Sequence, residues 1–435
     1  MSLVFSQLVA AAMGSGPQVV VQAGGQLTIQ SGGVMNVGVG MSTGGDAAAT
    51  ASPPPPVLSP PPPAPPPAPP ALVNSISISL SKACAYKVSS NEFKCWGSGA
   101  NGGIGDGTET QRDSPVSVDV GGPVKDICTG EHICAALTDG TLKCWGGNEY
   151  GSVGDGGTSN VLSPKTIDVG GEVDQVGCGN YHTCVILTDG TLKCWGLNFK
   201  GAVGDGRGPF TSWGAPGMNQ LTPKTIDIGG KAKMMALASQ HTCVVLADDS
   251  TVKCWGTLER PVGDGSDGST GHKGSPVSVD VGGTVASIKS GDSHTCALLT
   301  TGVLRCWGIT DNGRTGTTNG LVPGTPAGTE SWNIKLLALG WNTCAYLADG
   351  NLRCFGHKRF GTGGSGSTDQ DAHNTVAKAS DVDLGGVPNA LAASNYDVCA
   401  ALADDTFKCW GKNTIGQLGN GKAPENSAVP VTVDW

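Results

Sequence analysis

The chain has 435 residues, 27 of them Lys or Arg against 36 Asp or Glu, for a formal net charge of −9, and only 14% of its residues are charged. That balance excludes a basic nucleic-acid footprint, and no run of about 18 apolar residues is present to cross a membrane as a helix. The 69 glycines suit a turn-rich β protein, and the length allows one large domain with extensions.

The organisation in chain order is a β-prone segment over residues 1–50, a proline-rich linker over 51–73 and a repeat domain over 74–435. Leu3 to Met13 is short and mostly apolar, with an Ala10-Ala11-Ala12 stretch that suits a signal peptidase. No Lys or Arg occurs before Lys82, however, so the basic start of an export signal is missing. Either the signal lies upstream or this one is atypical. From Gln18 to Gly40, two Gly-Gly turns separate three short apolar stretches: Val19, Val20 and Val21; Leu27 and Ile29; Val34, Val37 and Val39. The segment is uncharged and too small to bury a core alone. Such a segment is an aggregation hazard unless it pairs with something. It can lie disordered, fold back on its own domain, or add strands to a neighbouring molecule. The third is the expectation, because the linker holds it away from its own domain.

That linker places 13 prolines in the 18 positions from 53 to 70: Pro53, Pro54, Pro55 and Pro56; Pro60, Pro61, Pro62 and Pro63 after Ser59; then Pro65, Pro66, Pro67, Pro69 and Pro70. Proline fixes φ and cannot feed a ladder, so the stretch reads as a polyproline II rod. At about 3.1 Å per residue it spans roughly 55 Å. It resembles the rods of hydroxyproline-rich wall glycoproteins of green algae and plants. The resemblance implies hydroxylation and O-linked sugar on these prolines and Ser59. The alternative is an unmodified spacer or a ligand for aromatic-groove domains. No Asn-x-Ser/Thr sequon occurs anywhere in the chain, so any sugar is expected on the rod.

Beyond the rod, seven cysteine pairs recur, ten or eleven residues apart: Cys84 with Cys95, Cys134 with Cys144, Cys184 with Cys194, Cys243 with Cys254, Cys296 with Cys306, Cys344 with Cys354 and Cys399 with Cys409. Each second cysteine is followed by Trp-Gly or Phe-Gly, and the period of 48 to 60 residues signals a propeller or an array. Between Cys134 and Cys144, a three-residue loop, Thr138-Asp139-Gly140, with Gly140 left-handed, pairs Leu137 with Thr141 and sets the cysteines opposite each other. Facing Cα atoms in an antiparallel pair lie about 4.5–5.5 Å apart, which suits a disulfide. A two-residue loop would put the cysteines on opposite faces. The eleven-spaced pairs, Cys84 with Cys95 and Cys243 with Cys254, need one more loop residue, which the hairpin can absorb. With the strand-like Ser-Pro-Val segments, each unit has four short strands, and seven units read as an all-β, seven-bladed propeller. The final segment, Val429 to Trp435, is expected to complete the first blade and so hide both sheet edges.

These units, Cys-Ala-Leu-x-x-x-Gly-x-Leu-x-Cys-Trp-Gly followed by Gly-Asp-Gly and Ser-Pro-Val, resemble the regulator of chromosome condensation repeat over about residues 75–435. The resemblance implies seven blades, and is closest in style to secreted, cysteine-bearing members and to β-lactamase inhibitor propellers of the same fold. The sixth unit drifts, with Trp341-Asn342-Thr343 before Cys344 and Phe355 in place of Trp.

Two cysteines remain, Cys128 and Cys178, at equivalent places six residues before Cys134 and Cys184. They are expected to bond to each other across adjacent blades; the alternative is two buried thiols. Paired spacing and an even count imply an oxidising, extracellular compartment. Zinc expects spacings of two to four residues and paired clusters, neither of which is present.

No chemistry-bearing constellation emerges. His132, His182, His241 and His294 share one place in four blades and read as structural. The Gly-Asp-Gly runs at Asp106, Asp155, Asp205 and Asp264 lack the spaced carboxylates of a calcium loop and read as turns. Asp248-Asp249 and Asp404-Asp405 sit in hairpin turns. No nucleophile elbow occurs, so no enzyme, metal or cofactor is expected. Two loops break the repeat, one carrying Phe210 and Trp213 and one carrying Arg359 and Phe360; aromatics and Arg anchor interfaces, so both are candidate partner loops, with tolerated loop growth as the alternative.

The leading expectation is a non-enzymatic extracellular structural glycoprotein of a surface, wall or ciliary coat. It would polymerise head to tail through residues 18–40, since a heterologous contact propagates without closing. The alternative is a secreted propeller that binds another extracellular protein. Nucleotide exchange on a small GTPase, implied by the founding family member, conflicts with the cysteine density.

Overall fold

The structure is a computed structural model that describes residues 19–22, 26–29, 33–34, 74–208, 217–257, 262–266, 272–357, 359–364, 373–374 and 379–435. The proline-rich positions 53–70, Val37, Val39, Phe210 and Trp213 lie outside the described residues. The chain divides into two units, residues 1–68 and 69–435. In the first, Val19–Gln22 pairs antiparallel with Gln26–Ile29, setting Val19 opposite Ile29 and Val21 opposite Leu27, and Gln26–Ile29 pairs with Gly33–Val34.

The second unit is an all-β, seven-bladed propeller, and no α-helix occurs among the described residues. Blade 2 shows the pattern. Val124–Thr129 lines the axis, His132–Leu137 and Leu142–Gly146 form the hairpin, and Val161–Ile167 is the outer strand. Its loop is the expected one: Gly140 has φ +83°, and Leu137 N–H donates to the Thr141 carbonyl at 2.8 Å. Cys134 therefore stands opposite Cys144. The longer loops of blades 1 and 4 keep the same cysteine register, with Asn91 and Ser250 in the left-handed position. Blade 5 reduces its outer strand to a bridge between Cys306 and Gly324, and blade 6 splits its own into His373–Asn374 and Ser380–Val382.

The dipeptide Cys-Trp explains how blades stack. Successive residues on a strand point to opposite faces, so each third strand sends its cysteine to one neighbour and its indole to the other. The buried apolar residues accordingly fall into seven clusters, one in each cleft between blades. The cleft between blades 1 and 2 holds Cys84 and Cys95 from one side and Trp145 from the other. That between blades 3 and 4 holds Cys184, Cys194 and Trp255, and blade 6 supplies Phe355 to the equivalent place. All of these side chains are buried at 0–1% exposure.

The C-terminal strand does not complete the first blade. Ser427–Thr432 pairs with Phe407–Gly411 inside blade 7, and blade 1 is built wholly from residues 75–117. The Ser-Pro-Val strand is the last strand of its own blade rather than the first of the next, because the loop after Trp-Gly returns it to the strand that carries the second cysteine. Closure is by packing instead. Ile76, Ile78 and Trp96 of blade 1 share a cluster with Cys399, Phe407 and Cys409 of blade 7. Trp96 Nε1 donates to the Gln417 carbonyl at 2.8 Å, and Trp435 stacks on Phe407 at 4.7 Å while donating to Glu92 at 2.9 Å.

All 16 cysteines are bonded. Within blades, Cys84 bonds to Cys95, Cys134 to Cys144, Cys184 to Cys194, Cys243 to Cys254, Cys296 to Cys306, Cys344 to Cys354 and Cys399 to Cys409. Cys128 bonds to Cys178 across blades 2 and 3. The hairpin pairs stand closer than the expected range, with Cα atoms 4.1 Å apart at Cys243 and Cys254 and at Cys344 and Cys354, as in the other five. Strand alternation accounts for the difference. Leu246 N–H donates to the Thr251 carbonyl and Leu347 N–H to the Asn351 carbonyl, so the facing cysteines, Cys243 with Cys254 and Cys344 with Cys354, form a non-hydrogen-bonded pair. Such pairs are the narrow ones, at about 4.5 Å, and a covalent bond draws them nearer.

The hairpin bonds close 10 or 11 residues and the inter-blade bond closes 50. In the chain-entropy description the longer loop contributes about 4 kcal/mol and a hairpin about 2.7 kcal/mol. Urea unfolding of the double variant Cys128→Ser with Cys178→Ser is therefore expected to show the larger loss per bond on that account. The midpoint shift is compared against the variant Cys344→Ala with Cys354→Ala, corrected for its lost burial.

Candidate functional site

Strand direction alternates within a blade, so the turns between first and second strands and the loops between third and fourth strands share one face. The hairpin turns and blade-to-blade links share the other. The second face carries many aspartates, and they build turns: Asp119, Asp168, Asp227, Asp280 and Asp383 each accept the N–H of the glycine two residues on, at 2.8–2.9 Å. Asp249 and Asp404 do the same for Thr251 and Thr406 in the hairpins. Asp106, Asp155, Asp205 and Asp264 of the Gly-Asp-Gly runs pair with Arg112, Lys165, Arg207 and Lys273.

The four histidines connect blades. His132, His182, His241 and His294 place Nε2 at 2.6–2.9 Å from the hydroxyls of Thr183, Thr242, Thr295 and Thr343 in the next blade. The Thr183, Thr242 and Thr343 hydroxyls in turn donate to the carbonyls of Ser152, Ala202 and Arg314. A hydroxyl that donates its one proton to a carbonyl must accept from the imidazole, so Nε2 carries a hydrogen in these rings. Burial holds His132, His182 and His294 down to about 3. The same position is Lys82 in blade 1, Asn342 in blade 6 and Asp397 in blade 7. Lys82 donates to the Glu131 carbonyl at 3.0 Å and is pushed down by burial, whereas burial pushes Asp397 well up.

The first face carries an aromatic and cationic cluster on blades 5 to 7. Trp341 and Tyr396, from the turns before the hairpins of blades 6 and 7, meet edge to face at 4.9 Å. Phe360 meets Tyr396 at 5.5 Å, and His357 lies 5.3 Å from Trp341. Arg314 lies over Trp341 at 4.9 Å, Arg359 over Phe360 at 4.9 Å and Lys412 over Tyr396 at 4.9 Å. Asp292 accepts from Trp341 Nε1 at 3.3 Å. Beside them, at the mouth of the axis, is a polar pocket of about 90 Å³ whose lining includes Asn180, Ser239, Asp292, Ser394 and Asn395.

The sequence-predicted Arg359 and Phe360 thus belong to this cluster. Trp341, Tyr396, Arg314 and Lys412 were not singled out as its members. One signal for two of them exists: the residue before the structural histidine position is Ser81, Glu131, Gln240 or Ser293 in four repeats, and aromatic in three, at Tyr181, Trp341 and Tyr396.

Models of the regulator of chromosome condensation (RCC1) repeat match residues 139–186, 173–202 and 285–314. The chain carries RCC1 repeats. No curated protein matches it. Among solved structures, Prp20p of Saccharomyces cerevisiae, studied for its binding to Gsp1p and histones, superposes with a TM-score of 0.66 at 18% identity, covering 79% of this chain and 86% of that one. Human WBSCR16 superposes with a TM-score of 0.65 at 18% identity, covering 78% and 93%. At these identities the likeness is one of fold.

The buried histidines set a pH dependence. Their folded values lie below the unfolded value of 6.5, so the unfolded chain binds protons first as pH falls, and stability is lost from about pH 6.5 downward. Each contributes up to about 1.4 kcal/mol per pH unit in that window. Asp397 has the opposite sign, since its raised folded value costs stability as pH rises. Denaturant midpoints are expected to fall steeply between pH 6 and 4, and His182→Asn, the residue that blade 6 carries there, is expected to flatten the slope by one histidine's share.

Proposed function

We propose that the chain is a non-catalytic extracellular structural protein of a surface, wall or ciliary coat. In this reading the propeller is the rigid body, the O-glycosylated proline-rich linker is the spacer, and residues 18–40 add strands to a neighbouring copy to give a head-to-tail fibre. The observation that carries it is the cross-linking. Eight disulfides, one in every blade and one between two blades, fix the body in a form suited to an oxidising exterior. The same bonds weigh against nucleotide exchange in the cytosol. Among the described residues of the first unit are three short antiparallel strands, and short strands of this kind can extend a sheet across two molecules.

A second reading, a secreted module that binds another protein, draws on the cluster around Trp341, Tyr396 and Phe360, since aromatic and Arg side chains anchor interfaces.

Electron microscopy of natively secreted protein separates the two. Fibres with a propeller-sized repeat are expected, and deletion of residues 1–50 is expected to leave single folded propellers. Polymers that persist after the deletion would end the strand-donation model, and dispersed particles from the full chain would favour the binding module.

A further inference from the structure

The cluster on blades 5 to 7 is a local excess of cations on an acidic protein. Arg314, Arg359 and Lys412 stand against three rings, and Asp292 accepts a hydrogen bond from one of them, Trp341. The whole chain carries −9. Aromatic rings hold the long cationic side chains in place, which lowers the ordering cost of binding an anion. Arg359 Nε, moreover, is buried without a hydrogen-bond partner among the described residues. A buried donor of this kind is costly unless an acceptor reaches it.

Backbone geometry marks the same place. Phe360 has φ +60° in a single tight turn, Arg359–Gly361. The corresponding turns of blades 1 and 5, Ala100–Gly102 and Asp311–Gly313, set Asn101 at φ +59° and Asn312 at φ +60°. Asparagine tolerates the left-handed region; a bulky aromatic there is an outlier. A strained residue retained where a relaxed one serves elsewhere in the same chain points to use of its side chain. Here that side chain is the ring between Arg359, Lys412 and Tyr396.

We propose that this face binds an acidic polysaccharide, one bearing carboxylate or sulfate groups, with Arg314, Arg359 and Lys412 meeting its anions. The adjoining axial mouth favours a sugar over an acidic peptide. Its Asn180 and Asn395 side-chain amides are donors and acceptors for the hydroxyls of a sugar ring, and the Ser239 and Ser394 hydroxyls beside them are held by hydrogen bonds to Asp292 and Asp397. The proposal stands on the propeller face alone and holds whether or not the N-terminal segment assembles.

Affinity electrophoresis of the full chain tests it, in gels containing polygalacturonate, dextran sulfate, neutral dextran or polyglutamate. Retardation by either acidic polysaccharide is expected, falling as salt rises, with little by neutral dextran. The double variant Arg359→Gln with Lys412→Gln is expected to bind at least tenfold more weakly. Phe360→Asn is expected to weaken binding while keeping or raising the melting temperature, since asparagine fits that turn in two other blades. Lys143→Gln, on a hairpin strand away from the cluster, is expected to bind as the parent does. Equal retardation by neutral dextran, tighter binding to polyglutamate, no binding to either acidic polysaccharide, or equal losses from Lys143→Gln and the double variant would each overturn it.

Discussion

The adjacency of cysteine and an aromatic residue on the third strand of every blade is the constraint on which this propeller rests. Neighbouring positions face opposite sides of a sheet, so one dipeptide serves two clefts at once. Its disulfide fills the cleft ahead and its ring fills the cleft behind. The third member of the motif follows from the second. Each glycine after the ring has φ between +101° and +117°, and a Cβ at Gly196, Gly256 or Gly411 would meet backbone atoms of the turn beside it at 2.2–2.4 Å. The Gly-Asp-Gly loops answer from the other side of the cleft. A Cβ on Gly105, Gly154 or Gly204 would stand 2.4–2.5 Å from the indole nitrogen of Trp145, Trp195 or Trp255 in the next blade. One glycine thus clears the turn beside the ring and the other clears the indole itself, which ties both glycines to the aromatic position.

That logic makes every cleft equivalent and explains how the ring closes. A strand borrowed from the far terminus is one way to hold a propeller shut. Here the cleft between blades 7 and 1 has the same parts as the other indole-filled clefts, Cys399, Cys409 and Trp96, and its extra fastenings are side chains at the terminus, with Trp435 stacked on Phe407 and under Lys94 at 4.9 Å. A pair of side chains can complete the ring because the blades on both sides are already cross-linked.

Hairpin register was legible in the sequence because it depends on loop length, a local quantity: three residues between Leu137 and Thr141 settle which cysteine faces which. The phase of the repeat was not legible, because a periodic pattern has no origin. Ser-Pro-Val precedes one hairpin and follows another, and only the pairing of Cys144 with Lys165 shows which owns it. The aromatic cluster was hidden for a different reason. Trp341, Phe360 and Tyr396 come from three loops of two blades, and no repeat position brings Phe360 to the other two. Arg359 and Phe360 were visible only as a departure from the repeat.

Departures from the repeat mark out the candidate site. Histidine occurs at the buried position wherever the next blade offers threonine, in blades 2 to 5. It gives way to Asn342, Asp397 and Lys82 where the next blade offers Val398, Ala83 and Ile133 instead. Those three irregular positions are consecutive around the ring, spanning blades 6, 7 and 1. The aromatic cluster stands above the first two of them, with Trp341 directly before Asn342 and Tyr396 directly before Asp397. The regular blades supply a uniform wall of disulfides and indoles. The irregular arc exchanges part of that uniformity for buried polar groups of different charge beneath a half-buried set of rings and cations. Cross-linked blades on either side would let such an arc present ordered side chains to the polysaccharide proposed above at little entropic cost.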